Sequence, residues 1–162
     1  MKILGKYKVS TDFIRSLTIN CHALDLSAHH LLVGGIHSDS SLRTKEIYEE
    51  KISTSLLSLA VAVRTLLYQG VELLVECPNI NCIGFYKSER NNDKARVSIK
   101  DVCDKIIHAD SIDREFEEIE NADPRPMTFI KGSYHKKPWQ LDISVSMFCE
   151  YVLNWVDKIE KA

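Results

Sequence analysis

The stretch Leu56-Leu57-Ser58-Leu59-Ala60-Val61-Ala62-Val63-Arg64-Thr65-Leu66-Leu67 is apolar around nearly its whole circumference when it is read as a helix. A helix of this kind is buried, so the stretch predicts the central helix of the domain. The helical pattern extends from about Thr44 to Gln69, and Gly70 is a typical stop. Arg64 interrupts the run, and a buried guanidinium needs carboxylate or carbonyl partners. We favour a structural ion pair for Arg64 over a charge directed at an interface or a binding site.

Two amphipathic patterns accompany this helix. The first pattern begins at a cap on Ser10 or Thr11, continues toward Leu31 and ends at Gly34-Gly35. A polar loop through His37, Asp39 and Ser41 then leads to the central helix. The last helix has its cap at Asp142 or Ser144. Its apolar stripe consists of Met147, Phe148, Tyr151, Val152, Trp155, Val156 and Ile159.

The remaining sequence predicts little β-structure. Residues 71–76 and 82–86 read as short extended segments, 88–94 as an exposed loop and 113–120 as an acidic surface connection. Residues 127–131 and 137–141 look like two strands of a hairpin joined around 132–137. The expected fold class is therefore mainly α, a four-helix bundle-like single domain over 1–162 with a small β-hairpin.

A fourth helix is expected in Ser98-Ile99-Lys100-Asp101-Val102-Cys103-Asp104-Lys105-Ile106-Ile107-His108. Its apolar residues occupy one arc, and Ser98 with Asp101 forms a capping pattern at its start. The opposite arc carries Asp104 and His108, with Lys100 and Lys105 flanking them. Asp104 precedes His108 by one turn, close enough to hold the imidazole. His108 is either a solvated surface residue or the centre of a site.

Three other clusters carry side chains that could bind a metal ion or a ligand. Cys77 and Cys82 have no second ligand pair at comparable spacing, and the histidines His22, His29 and His30 have no carboxylate from another element, so we predict no metal site. A third cluster on the hairpin combines cations and aromatic rings, a mixture that can hold phosphates and stack a base, but we favour a solvated hairpin tip over a binding site. Its members are Lys131, Tyr134, His135, Lys136, Lys137 and Trp139.

Composition limits the protein class. A net charge of −2 on 162 residues argues against non-specific coating of nucleic acid, although a local basic patch remains open. The five scattered cysteines read as reduced thiols, with Cys103 and Cys149 in the core, and no apolar segment is expected to span a bilayer. We therefore expect a cytoplasmic protein. Phosphate-binding and dinucleotide-binding glycine motifs do not occur, so we expect no small-molecule cofactor.

Residues 98–109, within a small helical layout with a long central helix, resemble the HEPN superfamily of prokaryotic helical domains. The resemblance implies a dimer in a defence or toxin–antitoxin setting, with either a non-catalytic interaction role or metal-independent ribonuclease activity. In the ribonuclease alternative, His108 would be the general acid or base and Lys100 or Lys105 the phosphate-stabilising cation. Asp101 and Asp104 would repel RNA unless Lys94, Arg96 or Arg64 of a partner subunit compensated.

The interaction role leaves two kinds of interface open. The surface of Lys100, Asp104, Lys105 and His108 would meet a protein partner through complementary charges, with RNA as an alternative ligand. A homodimer through the Trp155 stripe would instead be a purely structural or regulatory assembly.

Overall fold

The computed structural model describes residues 8–32, 38–70, 79–80, 84–88, 91–95, 97–115 and 127–162. Within these ranges the helices are α1 (Thr11–Leu32), α2 (Ser38–Tyr68), α3 (Ile99–Ile107) and α4 (Val145–Lys161). The strands are β1 (Asn79–Ile80), β2 (Gly84–Ser88), β3 (Asn91–Ala95), β4 (Val97–Ser98), β5 (Ser111–Glu115), β6 (Met127–Tyr134) and β7 (Lys137–Ile143). Gly34, Gly35, His37 and residues 71–76 lie outside the described residues.

The predicted helix starts and stops are largely confirmed. The Ser10 hydroxyl accepts a hydrogen bond from the amide of Phe13 at 3.1 Å, and the Ser144 hydroxyl caps α4. α2 ends before Gly70, whose φ of +94° is the left-handed conformation that favours glycine. The predicted loop through Asp39 and Ser41 is wrong, because α2 already begins at Ser38.

α2 packs against α1 and α3 through one side and leaves another side open. Leu56, Leu59 and Val63 are buried, whereas Leu57 and Val61 are 44% and 47% exposed. By length and hydropathy, Leu42–Tyr68 is the one described segment that could cross a bilayer. Its buried side chains belong to the same core as those of α3 and α4.

A five-stranded antiparallel sheet overturns the expected fold class. Its strand order is β3-β2-β7-β6-β5, and β1 and β4 form a separate two-stranded pair. The protein is a mixed α/β fold rather than a four-helix bundle with a small hairpin. The predicted exposed loop at 88–94 is wrong over β3, and the predicted surface connection is wrong over residues 113–115, which belong to β5. Both strands are polar sheet edges, so their sequences lack the apolar alternation that marks a strand.

The predicted hairpin is confirmed as β6 and β7, with a tighter turn than expected. Tyr134 pairs with Lys137, so only His135 and Lys136 form the turn. Their φ values of 48° and 63° are both positive, which defines a two-residue turn of type I′. Because this turn matches the twist of the flanking strands, the hairpin extends three residues beyond the predicted strand end at Lys131.

The core fills the space between the helices and one face of the sheet. Phe148, Val152 and Val156 are buried as the α4 stripe predicted, and Cys103 and Cys149 are buried free thiols. Trp155 is 0% exposed because it packs within its own chain. Most of the Trp155 stripe is thus used within the chain's own core, and a homodimer through it stays a prediction.

A buried ion pair between Asp25 of α1 and Arg114 of β5 connects the two layers. The Arg114 guanidinium also donates to the hydroxyl groups of Tyr48 and Thr128. The second carboxylate oxygen of Asp25 accepts hydrogen bonds from the backbone amide and the hydroxyl of Ser146. Three helices and two strands thus meet at one pair of charges.

Tyr48 completes this network. Burial is the main cause that raises the pKa of its phenol to about 12, so the phenol stays protonated at neutral pH. A protonated phenol can accept a hydrogen bond from Arg114 and donate one to the carbonyl oxygen of Leu24, which lies 3.1 Å away. Both charges of the ion pair therefore have the hydrogen-bond partners that a buried charge requires.

We expect Asp25→Asn to destabilise the fold by about 3–5 kcal/mol, because it leaves the buried Arg114 guanidinium without a compensating charge. Urea denaturation followed by circular dichroism measures the change. Asp12→Asn, an exposed position in the first turn of the same helix, is the control and should cost below about 1 kcal/mol. Equal losses for the two variants would show that the ion pair has no special role.

Candidate nucleic-acid interface

The α3 helix has the predicted cap and buried face. The Ser98 hydroxyl accepts from the amide of Asp101 at 3.1 Å, and the Asp101 carboxylate accepts from the amide of Ser98 at 2.8 Å. Ile99, Val102, Cys103 and Ile106 are buried. His108 is the C-cap residue and is exposed. Residues on the other arc of α3 contact two different neighbours.

Arg64 forms the ion pair that the sequence favoured. Its Nε lies 2.7 Å from Oδ1 of Asp104, and its guanidinium donates to the Tyr68 hydroxyl at 2.9 Å. The Arg64 side chain is 12% exposed and the Asp104 side chain 39%. Asp104 therefore joins α3 to α2. Among the described residues no hydrogen bond joins the Asp104 carboxylate to the His108 imidazole, so the predicted carboxylate support is not formed. Only the backbone amide of His108 donates to the carbonyl oxygen of Asp104, at 3.1 Å.

Lys105 contacts the sheet. Its ammonium lies 4.3 Å from the centre of the Tyr86 ring, 4.4 Å from that of the Trp139 ring and 3.3 Å from the Tyr86 hydroxyl. This is cation–π geometry with two rings at once. Lys100 lies at the other end of α3, eight residues before His108 and thus about 12 Å away along the helix axis. The Lys105 ammonium is therefore engaged by the sheet, and Lys100 is separated from His108 by the length of α3.

Trp139 owes its position to a glycine on the neighbouring strand. Gly132 pairs directly with Trp139, and a Cβ atom at Gly132 would overlap the indole ring. The same Cβ would lie 3.0 Å from the carbonyl oxygen of His108. Three groups therefore pack together here, namely the end of α3, the backbone of β6 and the indole ring. Any residue larger than glycine at position 132 would have to displace one of its neighbours. Trp139 is 5% exposed.

A cleft opens beside this packed region, toward the hairpin turn. It has a volume of about 140 Å³ and is lined by Tyr86, Ser88, Tyr134, His135, Lys137, Pro138 and Trp139. The strand register explains the grouping, because alternate positions of β2, β6 and β7 lie on the same face of the sheet. Tyr134 is 70% exposed, and its ring meets the His135 ring edge-on at 4.3 Å between centres. The cleft thus offers an open ring face beside polar groups.

The cations of the hairpin divide into two groups. Lys131 pairs with Asp113, and Lys87 of the neighbouring strand pairs with Asp142, each at 2.8 Å. Lys136 and Lys137 are exposed at the turn, where Lys137 also lines the cleft. Within the hairpin, the exposed lysines of the turn therefore lie at the rim of the cleft.

Sequence reasoning found four of the residues that line this cleft but missed Pro138, Tyr86 and Ser88. Tyr86 and Ser88 lie on β2, whose pairing with β7 joins residues more than fifty positions apart. Local alternation could mark 82–86 as extended, but it could not identify the partner strand. Arg96, Cys77, Cys82 and the side chains of His29 and His30 lie outside the described residues. The described residues contain no group of three histidine, cysteine or acidic side chains placed to hold a metal ion.

No protein-family model, curated protein or solved structure matches this chain. The resemblance to the HEPN superfamily therefore stays a prediction that rests on the α3 residues, since the helical layout that accompanied it is replaced by a helix layer and a sheet.

We expect Gly132→Val to destabilise the protein by about 1–3 kcal/mol, because the new side chain must displace the Trp139 indole or the end of α3. Urea denaturation measures the loss, and a shifted tryptophan emission spectrum reports the displaced ring. Ser133→Val is the matched control, because Ser133 is exposed on the opposite face of the same strand. A Gly132→Val protein as stable as this control would contradict the packing described above.

Proposed function

We propose that this chain is a non-catalytic RNA-binding subunit that holds single-stranded RNA in the cleft beside the β6–β7 turn. The observation that carries the proposal is the cleft itself, where three aromatic side chains lie beside exposed lysines. Proteins that bind single strands combine rings for stacking the bases with cations along the phosphate path. Tyr134 offers an exposed ring for the first task, and Lys136 and Lys137 are placed for the second.

A local site agrees with the charge of the whole chain. A net charge of −2 gives little general attraction to nucleic acid, so affinity has to come from a few concentrated contacts. Single strands also suit a short cleft better than duplexes do, because their unstacked bases can be inserted between side chains. We propose a cytoplasmic location. The defence or toxin–antitoxin setting and a homodimer or protein partner remain predictions.

We favour RNA binding over RNA cleavage because Asp104 and Lys105, which the sequence places beside His108, contact other residues. Asp104 pairs with Arg64, and the Lys105 ammonium lies against two rings instead of beside His108. The same contacts reduce the charge that the α3 surface offers to a protein partner. The cleft retains an open ring and exposed cations, which makes it the better candidate interface.

We expect the double variant Lys136→Gln/Lys137→Gln to weaken binding of a fluorescent single-stranded RNA and to lower the salt dependence of binding. Two lost phosphate contacts reduce the slope of log K against log salt by about 1.4. Fluorescence anisotropy over a salt series measures both quantities. The control is Lys158→Gln/Lys161→Gln, which removes the same charge from the end of α4. An equal loss in both variants would mean that net charge, not the hairpin, drives binding.

We expect Tyr134→Ala to lower the affinity for single-stranded RNA roughly tenfold, because one stacked base loses its ring. Tyr68→Ala removes a tyrosine of similar exposure, 77% against 70%, from α2 and should leave the affinity unchanged. Single-stranded DNA and double-stranded RNA serve as competitors. Effective competition by duplex RNA would contradict the assignment to single strands, and equal binding of DNA would show that the 2′-hydroxyl is not recognised.

We expect no RNA cleavage by the wild-type protein in the presence of a metal chelator, because Asp104 is paired with Arg64 and the Lys105 ammonium is held by two aromatic rings. Gel electrophoresis of end-labelled RNA measures cleavage. Cleavage by the wild type that disappears in His108→Ala, with an unchanged circular dichroism spectrum, would instead establish the ribonuclease.

A further inference from the structure

Lys105 lies directly behind the cleft without lining it. Its ammonium contacts the rings of Tyr86 and Trp139, and both of these rings line the cleft. The two ring centres are 6.4 Å apart and the ring planes are inclined by 35°. One cation thus bridges two rings that belong to different strands and to the proposed binding surface.

This contact affects the rings in two ways. First, attraction between the ammonium and both ring faces fixes their relative orientation, and the hydrogen bond to the Tyr86 hydroxyl adds a second restraint. Second, a cation on a ring draws π-electron density toward itself. Of the two rings, Tyr86 is half-buried and lines the cleft, so a base can reach it, whereas Trp139 is buried. A ring polarised in this way stacks more favourably with an electron-rich, polarisable base, and adenine has more of both properties than uracil.

We infer that Lys105 is a positioning residue of the RNA site, which holds Tyr86 and Trp139 in place and gives the cleft a preference for purine-containing single strands. This inference rests on the proposed function. It assigns Lys105 a role different from that of Lys136 and Lys137, because Lys105 acts through the rings and makes no contact with phosphate.

The burial of Lys105 supports this separation of roles. The residue is partly buried between α3 and the sheet, whereas Lys136 and Lys137 are exposed at the turn. A lysine that binds phosphate releases counterions and contributes to the salt dependence of binding. A lysine that acts through the rings contributes to base preference and leaves the salt dependence unchanged.

The experiment compares the wild type with Lys105→Met and Lys105→Arg. Methionine keeps a long, unbranched side chain without the charge, and arginine retains the ability to stack on aromatic rings as a cation. Anisotropy titrations with oligo(A) and oligo(U) RNA of equal length are made over a salt series. Circular dichroism confirms the fold. Tryptophan emission, recorded for every variant against the same background of the buried Trp155, reports changes around Trp139.

We expect Lys105→Met to lose roughly fivefold in affinity for oligo(A), with a smaller loss for oligo(U) and an unchanged salt slope. Its tryptophan emission should shift, and Lys105→Arg should restore the preference for oligo(A). An equal loss for both RNAs would reduce Lys105 to a general structural role and overturn the inference. A salt slope lower by about 0.7 would also overturn it, because Lys105 would then be a phosphate ligand.

The same titrations separate the two proposals. A wild-type protein that binds neither RNA more tightly than Tyr134→Ala does would remove the proposed function. A wild-type protein that binds both RNAs, with Lys105→Met indistinguishable from it, would overturn only the role of Lys105.

Discussion

The buried ion pair between Asp25 and Arg114 joins the helix layer to the sheet. A charge pair taken out of water is costly, and it is tolerated only where geometry and further hydrogen bonds compensate both ions. Here Tyr48, Thr128 and Ser146 supply those bonds. Because these partners belong to α2, β6 and α4, the network is complete only when all of these elements are correctly placed. The ion pair therefore favours one arrangement of the layers over looser packings that apolar contacts alone would allow.

That arrangement sets the position of the cleft. Arg114 of β5 lies opposite Thr128 of β6 and donates a hydrogen bond to its hydroxyl, so the buried network fixes the register of these two strands. Four residues further along β6, Gly132 pairs with Trp139 and packs against the carbonyl of His108 at the end of α3. The helix covers the sheet up to this contact, and the cleft opens beyond it. The hairpin turn then places exposed lysines at the rim, where the helix layer no longer shields them.

The helices could be predicted because their signals are local. Ser10, Ser98 and Ser144 cap helices as expected, and the apolar stripes identify most of the buried residues. The sheet could not be predicted, because the sequences of its edge strands are polar and β5 brings a charged residue to the interior. Arg114 occupies an inward position of β5 where an apolar residue would have marked a strand, and only the distant Asp25 makes it acceptable there. Tyr86 was missed for a related reason, since its neighbours come from a strand far along the chain.

The charges of α3 show how an outward-facing arc can be structural. Sequence patterning places Asp104, Lys105 and His108 together, opposite the apolar face, which suggests a single surface for chemistry. In three dimensions Asp104 is paired with Arg64 of α2 while Lys105 lies against the aromatic rings of the sheet. The polar side chains of α3 therefore hold this helix between α2 on one side and the sheet on the other. The groups that remain available to a ligand then lie where an element extends beyond its neighbours, as the β6–β7 hairpin does past the end of α3.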